Sequence, residues 1–236
     1  MKNSYLLKVV VGLITLVSMS TVAFAQEEAK AEVAEESKVS IDGGLDIYSS
    51  YVWRGSKFGK GPAFQPWVEG AFGNLAIGGW GSVNAGSAEA FEMDTYISYS
   101  FDFGLGITVS DYFFGDSVGL GYLDFKTNHY IEPSLSYEIK AFTFTGAYMF
   151  LPGFSNGGDM YFEAEFSKGA FSFALGAGNG QYTSAGKFAG DFMLCNVKIG
   201  ASKELQITEK YAIPLSAAVI FNPATEGFFI AAGISF

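Results

Sequence analysis

From Val39 to Phe236 apolar residues recur at every second position, a period that suits strands and does not suit helices. The last ten residues show it best. Phe228, Ile230, Ala232, Ile234 and Phe236 form one apolar row with an aromatic at each end. The opposite row includes Gly227, Ala231, Gly233 and Ser235, which are small or polar. A strand of about ten residues, apolar outward and small or polar inward, is the unit of a transmembrane β-barrel. A closing strand that ends on Phe236, with Ile234 before it in the row, also resembles the C-terminal assembly signal of bacterial outer-membrane proteins, which implies the barrel-assembly machinery as a partner.

The same alternation predicts twelve strands, near 39–54, 63–72, 75–84, 91–101, 105–113, 129–138, 142–151, 160–167, 171–179, 192–202, 211–221 and 227–236. In 91–101, Phe91, Met93, Thr95, Ile97, Tyr99 and Phe101 oppose Glu92, Asp94, Tyr96, Ser98 and Ser100. An even strand number returns both termini to one side, and the turns agree. Gly73-Asn74, Asp102–Gly104, Ile139–Ala141 and Lys168–Ala170 are tight, whereas Phe114–Asn128, Pro152–Asp159 and Gly180–Asp191 are long. Short turns belong to the periplasm and long loops to the outside. Lys203–Lys210 reads as a longer, mixed connection.

The fold class expected is therefore all-β: a closed, antiparallel, up-and-down barrel of about twelve strands over residues 39–236. Aromatics make up 17% of the chain and charged residues 16%, which suits a barrel with interfacial girdles. One girdle would hold Trp53, Phe64, Phe91, Phe113, Phe150, Phe192, Phe221 and Phe228 at the outer rim. The other would hold Phe72, Tyr99, Phe101, Phe142, Phe166, Phe171, Tyr211 and Phe236. A soluble sandwich would explain the alternation but not the girdles, the loop asymmetry and the terminal phenylalanine together.

Ahead of the barrel, Lys2 and Lys8, the apolar run Val9–Val17 and the small-x-small site Ala23-Phe24-Ala25 read as a signal peptide over 1–25. Its removal takes two lysines and moves the net charge from −10 to −12. Residues 26–38 carry five glutamates against two lysines and read as an acidic periplasmic linker. The location expected is the bacterial outer membrane, in contact with its lipid.

The segment Asp46-Ile47-Tyr48-Ser49-Ser50-Tyr51-Val52-Trp53-Arg54-Gly55, leading to Pro62-Ala63-Phe64-Gln65-Pro66, resembles the opening of the TorF-like porin family. In that family an aromatic-rich first strand also ends in Arg-Gly before a Pro-containing second strand. The resemblance implies a porin-like channel and leaves its solute open.

Alternation turns Asp42, Asp46, Glu69, Glu92, Asp94, Glu132, Glu138, Glu163 and Glu165 inward against Arg54 and Lys198. Nine acids against two bases would favour cations in a confined passage, so small polar or cationic solutes are the expected cargo. The competing reading is a plugged interior in which these groups hydrogen-bond to one another. Arg54, the only arginine, is expected near Glu226, Glu92 or Asp94, either in a charge network at the mouth or as a structural ion pair. The alternative function is a non-conducting structural or adhesin-like barrel that works through its outer loops.

An enzyme is not expected. His129, the only histidine, reads as a girdle or loop residue, and Glu92-x-Asp94 has no serine and histidine to complete a catalytic set. Cys195, the only cysteine, reads as a small lipid-facing hydrophobe, and one histidine with one cysteine do not suggest a metal site. No cofactor is implied, and an acidic chain without a basic stripe argues against nucleic acid.

Overall fold

The computed structural model describes residues 39–115, 121–123, 125, 128–150, 158–185 and 189–236. The expected signal peptide and acidic linker lie outside the described residues. Among the described residues there are fourteen strands: β1 Val39–Tyr48, β2 Tyr51–Trp53, β3 Ser56–Phe58, β4 Ala63–Phe72, β5 Leu75–Asn84, β6 Ser87–Ser100, β7 Leu105–Gly115, β8 His129–Ile139, β9 Phe142–Tyr148, β10 Met160–Lys168, β11 Phe171–Gly180, β12 Gly190–Thr208, β13 Tyr211–Asn222 and β14 Gly227–Ser235. Twelve of them close into a barrel in which each stave pairs antiparallel with its chain neighbour, and β1 completes the ring between β4 and β14.

Pleating puts alternate side chains on opposite faces, and here the apolar rows face out. Phe228 and Ile230 are 62% and 64% exposed, in company with Val68, Ile77, Ile97, Leu135, Phe144, Phe162, Ile199 and Val219 on eight other staves. The inward rows hold Asp46, Gln65, Asp94, Ser98, Thr108, Ser110, Glu132, Ser134 and Asn196, all buried. Such a surface is the inverse of a water-soluble domain, and a closed barrel satisfies every stave's backbone without an edge; together they define a membrane-spanning β-barrel.

β1 closes the ring over a short seam. Asp46, Ile47 and Tyr48 pair with Ser235, Ile234 and Gly233. Below them Leu45 and Phe236 exchange two backbone hydrogen bonds of 3.0 Å. Above them Ser49 N–H donates to the Ala232 carbonyl at 2.8 Å, and there the chain leaves the wall.

The first expected strand, 39–54, is therefore two pieces. β1 ends at Tyr48, and Tyr51–Phe58 folds into the lumen as a separate two-stranded hairpin, β2–β3. Trp53 accordingly is not in the outer girdle: it is 5% exposed and packs inside the barrel. Lys203–Thr208 is strand rather than connection, paired with Tyr211–Leu215 around a tight turn. Cys195 is the extra residue of a β-bulge, since Gly176 pairs with Asn196 and Ala177 with Leu194. The bulge shifts the alternation by one position, so Cys195 is fully buried against Trp53 and its neighbours instead of facing lipid.

Candidate functional site: a hairpin fastened across the lumen

Trp53-Arg54-Gly55-Ser56 forms the tip of the lumen hairpin, with Trp53 paired to Ser56. Its two central residues have φ of 48° and 79°, the positive values that a type I′ hairpin turn requires. Glycine is needed at the second for a further reason. A Cβ on Gly55 would lie 1.9 Å from the Cys195 carbonyl oxygen, so the tip is pressed against β12. Asn222 of β13 fixes it there, its amide donating to the Gly55 carbonyl at 3.2 Å and to the Tyr182 carbonyl at 3.1 Å.

Arg54 extends from this tip to β8. Its Nη1 and Nη2 donate to Glu132 Oε2 and Oε1 at 2.6 and 2.9 Å, a bidentate pair in which both partners are buried. Nη1 also donates to the Tyr182 hydroxyl at 2.6 Å. Tyr112 donates to Glu132 Oε1 at 2.9 Å. The guanidinium carbon lies 4.4 Å from the Trp53 ring centroid and 4.5 Å from that of Tyr161. An arginine stays charged in proteins, so this carboxylate and these π faces replace the water it has lost.

The hairpin's other side chains fill the outer half of the lumen. Tyr51, Trp53 and Phe58 pack with Trp80, Tyr112, Phe114, Met149, Tyr161 and Tyr182. Tyr51 also bonds to Glu92. Towards the periplasmic end the inward side chains are smaller and partly accessible, among them Ser136, Thr143, Thr145, Glu163, Ser172 and Lys198. The lumen is thus filled with packed aromatics at the outer side and lined by polar groups towards the other.

The inward acids are distributed along this path. Glu132 holds Arg54, and Glu165 holds Lys198 at 2.8 Å. Glu69 accepts from Tyr96 at 2.8 Å, and Glu163 accepts from Tyr161 and, at 2.7 Å, from Asn196. Asp46 and Asp94 are buried, each with one carboxylate oxygen that has no hydrogen-bond partner. Glu138 is half-buried near the periplasmic turn, and Asp42 is exposed at the lower end of β1. Among the described residues no lysine or arginine pairs with Asp46, Glu69, Glu92, Asp94 or Glu163.

Arg54 lies inside the barrel, but its partner is none of the expected Glu226, Glu92 and Asp94. Glu226 is exposed in the β13–β14 turn, and the true partner, Glu132, is on a stave across the lumen. The aromatic box of Trp53, Tyr161 and Tyr182 has no periodic signal in the sequence, because Tyr182 belongs to a short 3-10 turn, Gln181–Thr183, inside a long connection. His129, at the outer end of β8, is buried and paired with Asp111.

No family model matches the chain, and no curated protein matches it. Among solved structures, a mutant of the Rh. blastica porin is similar at 13% identity and a TM-score of 0.37, over 74% of this chain and 55% of that one. This chain thus spans about half the length of that porin. A second mutant of it is similar at 13% identity and a TM-score of 0.40, over 85% of this chain and 73% of that one. Salmonella typhi OmpF in complex with Daunomycin is similar at 7% identity and a TM-score of 0.29, over 84% and 97%. These likenesses are distant, and function is read from the chain's own geometry.

Proposed function

We propose that the chain is a porin-like passive channel of the bacterial outer membrane, narrowed at its outer mouth by the β2–β3 hairpin and preferring small cationic or polar solutes. The observation that carries the reading is the division of the barrel's two faces: an apolar wall outside, and inside an acid-rich polar wall crossed by a fastened constriction. Twelve staves make a lumen wider than the eight-stranded barrels that side chains alone can fill. Here the hairpin supplies the filling, and only over the outer half. The partly accessible inward acids Glu69, Glu138 and Glu163 lower the energy of a cation in a low-dielectric passage and repel anions. The resemblance of the first hairpin to the TorF-like porins supports the same function. The expected signal peptide over 1–25 and the apolar, aromatic-bearing outward row of β14 support delivery to the outer membrane through the barrel-assembly machinery.

Planar-bilayer recording tests the proposal. Small unitary conductance is expected, with a reversal potential in a salt gradient that has the sign of cation preference. An anion-selective reversal potential would overturn the solute class. The packed outer half favours a second reading, a non-conducting barrel. Silence from folded protein, both intact and with the hairpin shortened, would select it.

A further inference from the structure

We propose that the box around Arg54 is a binding site for guanidinium-bearing solutes, in which Arg54 is a built-in occupant that such a solute displaces. That these solutes are cargo rests on the channel reading above. Only Arg54 and Trp53 of the box belong to the hairpin. Glu132 comes from β8, Tyr112 from β7, Tyr161 from β10 and Tyr182 from the 3-10 turn after β11. The accepting half of the site is thus built into the wall and its connection, and it stays when the arginine leaves.

These groups select a guanidinium over other cations. Both Glu132 oxygens are engaged at once, at 2.6 and 2.9 Å, by two nitrogens of one planar fork. The Tyr182 hydroxyl accepts from the same fork at 2.6 Å, and Tyr112 holds Glu132 Oε1 at 2.9 Å. The Tyr161 and Tyr182 ring centroids lie 4.5 and 5.5 Å from the guanidinium carbon. An ammonium is a compact point charge that neither spans the two oxygens nor stacks on a ring.

Two features let a solute compete. Tyr161 stands between the box and the polar half of the lumen: its ring lies against the guanidinium, while its hydroxyl donates to Glu163 and accepts from Asn196 at 3.1 Å. Glu163 is partly accessible, so a cation drawn to it is one tyrosine away from Arg54. The tether is also slight. β2 and β3 pair over three residues each, and a hairpin that short is marginal without its contacts to the wall. Arg54 itself has a φ of 48°, a left-handed conformation that glycine adopts more readily.

The chain's single arginine gives a direct test. In tag-free barrel labelled with nitrogen-15 in arginine alone, the fixed guanidinium should give separate Nη signals. An excess of methylguanidinium should merge them into those of a free side chain, and methylammonium should leave them apart. Arg54→Gly suits the turn conformation and empties the box. Calorimetry should then find methylguanidinium bound with a half-saturation about tenfold or more below the displacing concentration in wild type, because a tethered group competes at an effective concentration of roughly millimolar order. Arg54→Gly/Glu132→Gln should lose that binding. If Arg54→Gly folds poorly, its folded yield should rise with methylguanidinium and not with methylammonium. Wild-type Nη signals unmoved by methylguanidinium, equal effects of the two cations, or undiminished binding in the double variant would each overturn the site. None of these readings needs current. A silent barrel that passes them overturns the channel and keeps the site, whereas a conducting barrel that fails them overturns the site and keeps the channel.

Discussion

Arg54 shows how much one residue can constrain. Its backbone takes a conformation that suits glycine or asparagine better, and its charge is buried among three aromatic rings. The bidentate bond to Glu132 compensates for both. Arg54→Ala leaves the Glu132 carboxylate buried with only tyrosine donors, Tyr112 and Tyr182. Breaking a buried pair on one side costs about 3–5 kcal/mol, and urea unfolding of the barrel in lipid should show a loss of that order. Glu132→Gln should cost comparably, since it strands the guanidinium, while the double variant should cost less than the sum. Gly55→Ala acts without changing charge: the added methyl meets the Cys195 carbonyl, so the tip must leave β12. The expected reading is a larger unitary conductance than wild type with the barrel still folded. Arg54 lies inside because the whole hairpin that carries it, Trp53 included, turns into the lumen, and not because of its phase along a stave. Its partner was not legible in the sequence, because Glu132 is 78 positions away and the pairing depends on a hairpin crossing the lumen.

At the scale of the element, the β2–β3 hairpin decides what the barrel can pass. Its concealment in the sequence has a physical cause. Tyr51 and Trp53 fall in phase with Ile47 and Leu45, so a strand continuing up the wall and a strand turning inward after Ser49-Ser50 give one apolar pattern. Period two reports which residues share a face, not which face meets lipid. The Arg54-Gly55 pair was the available signal, since a positively charged residue before glycine at the end of an aromatic run fits a turn in a wet lumen better than a stave in lipid. The remaining staves were legible because alternation runs along most of each and tight turns join them at one end. Cys195 was misread for the converse reason: one bulged residue reverses the phase locally, and nothing in the sequence marks it. Replacing Ser50–Gly61 by a short glycine-serine turn removes the hairpin and leaves every barrel pairing in place. The shortened barrel should keep its heat-modifiable mobility and conduct several-fold more than wild type. If bilayer conductance does not rise, the hairpin is not the constriction.

For the whole molecule, the two faces of one wall make opposite demands, and a matched pair of substitutions separates them. Ile230 of β14 faces lipid between Phe228 and the terminal Phe236. Thr145 of β9 faces the lumen, half-buried and directly across from Glu163 of β10. An arginine at position 230 must bring its guanidinium into hydrocarbon or bend away from it, at about 2–4 kcal/mol near the bilayer midplane. A lysine at 145 meets a polar lumen and an acceptor, and its charge costs little there. Ile230→Arg should therefore lower the yield of folded, heat-modifiable barrel in vesicles without changing the selectivity of the molecules that do insert. Thr145→Lys should insert as wild type does, yet move the reversal potential towards anions by neutralising one inward acid. A soluble barrel with a packed core would reverse this order, tolerating a charge at 230 and not at 145. Equal folding yields for both variants would remove the assignment of faces on which the channel reading rests.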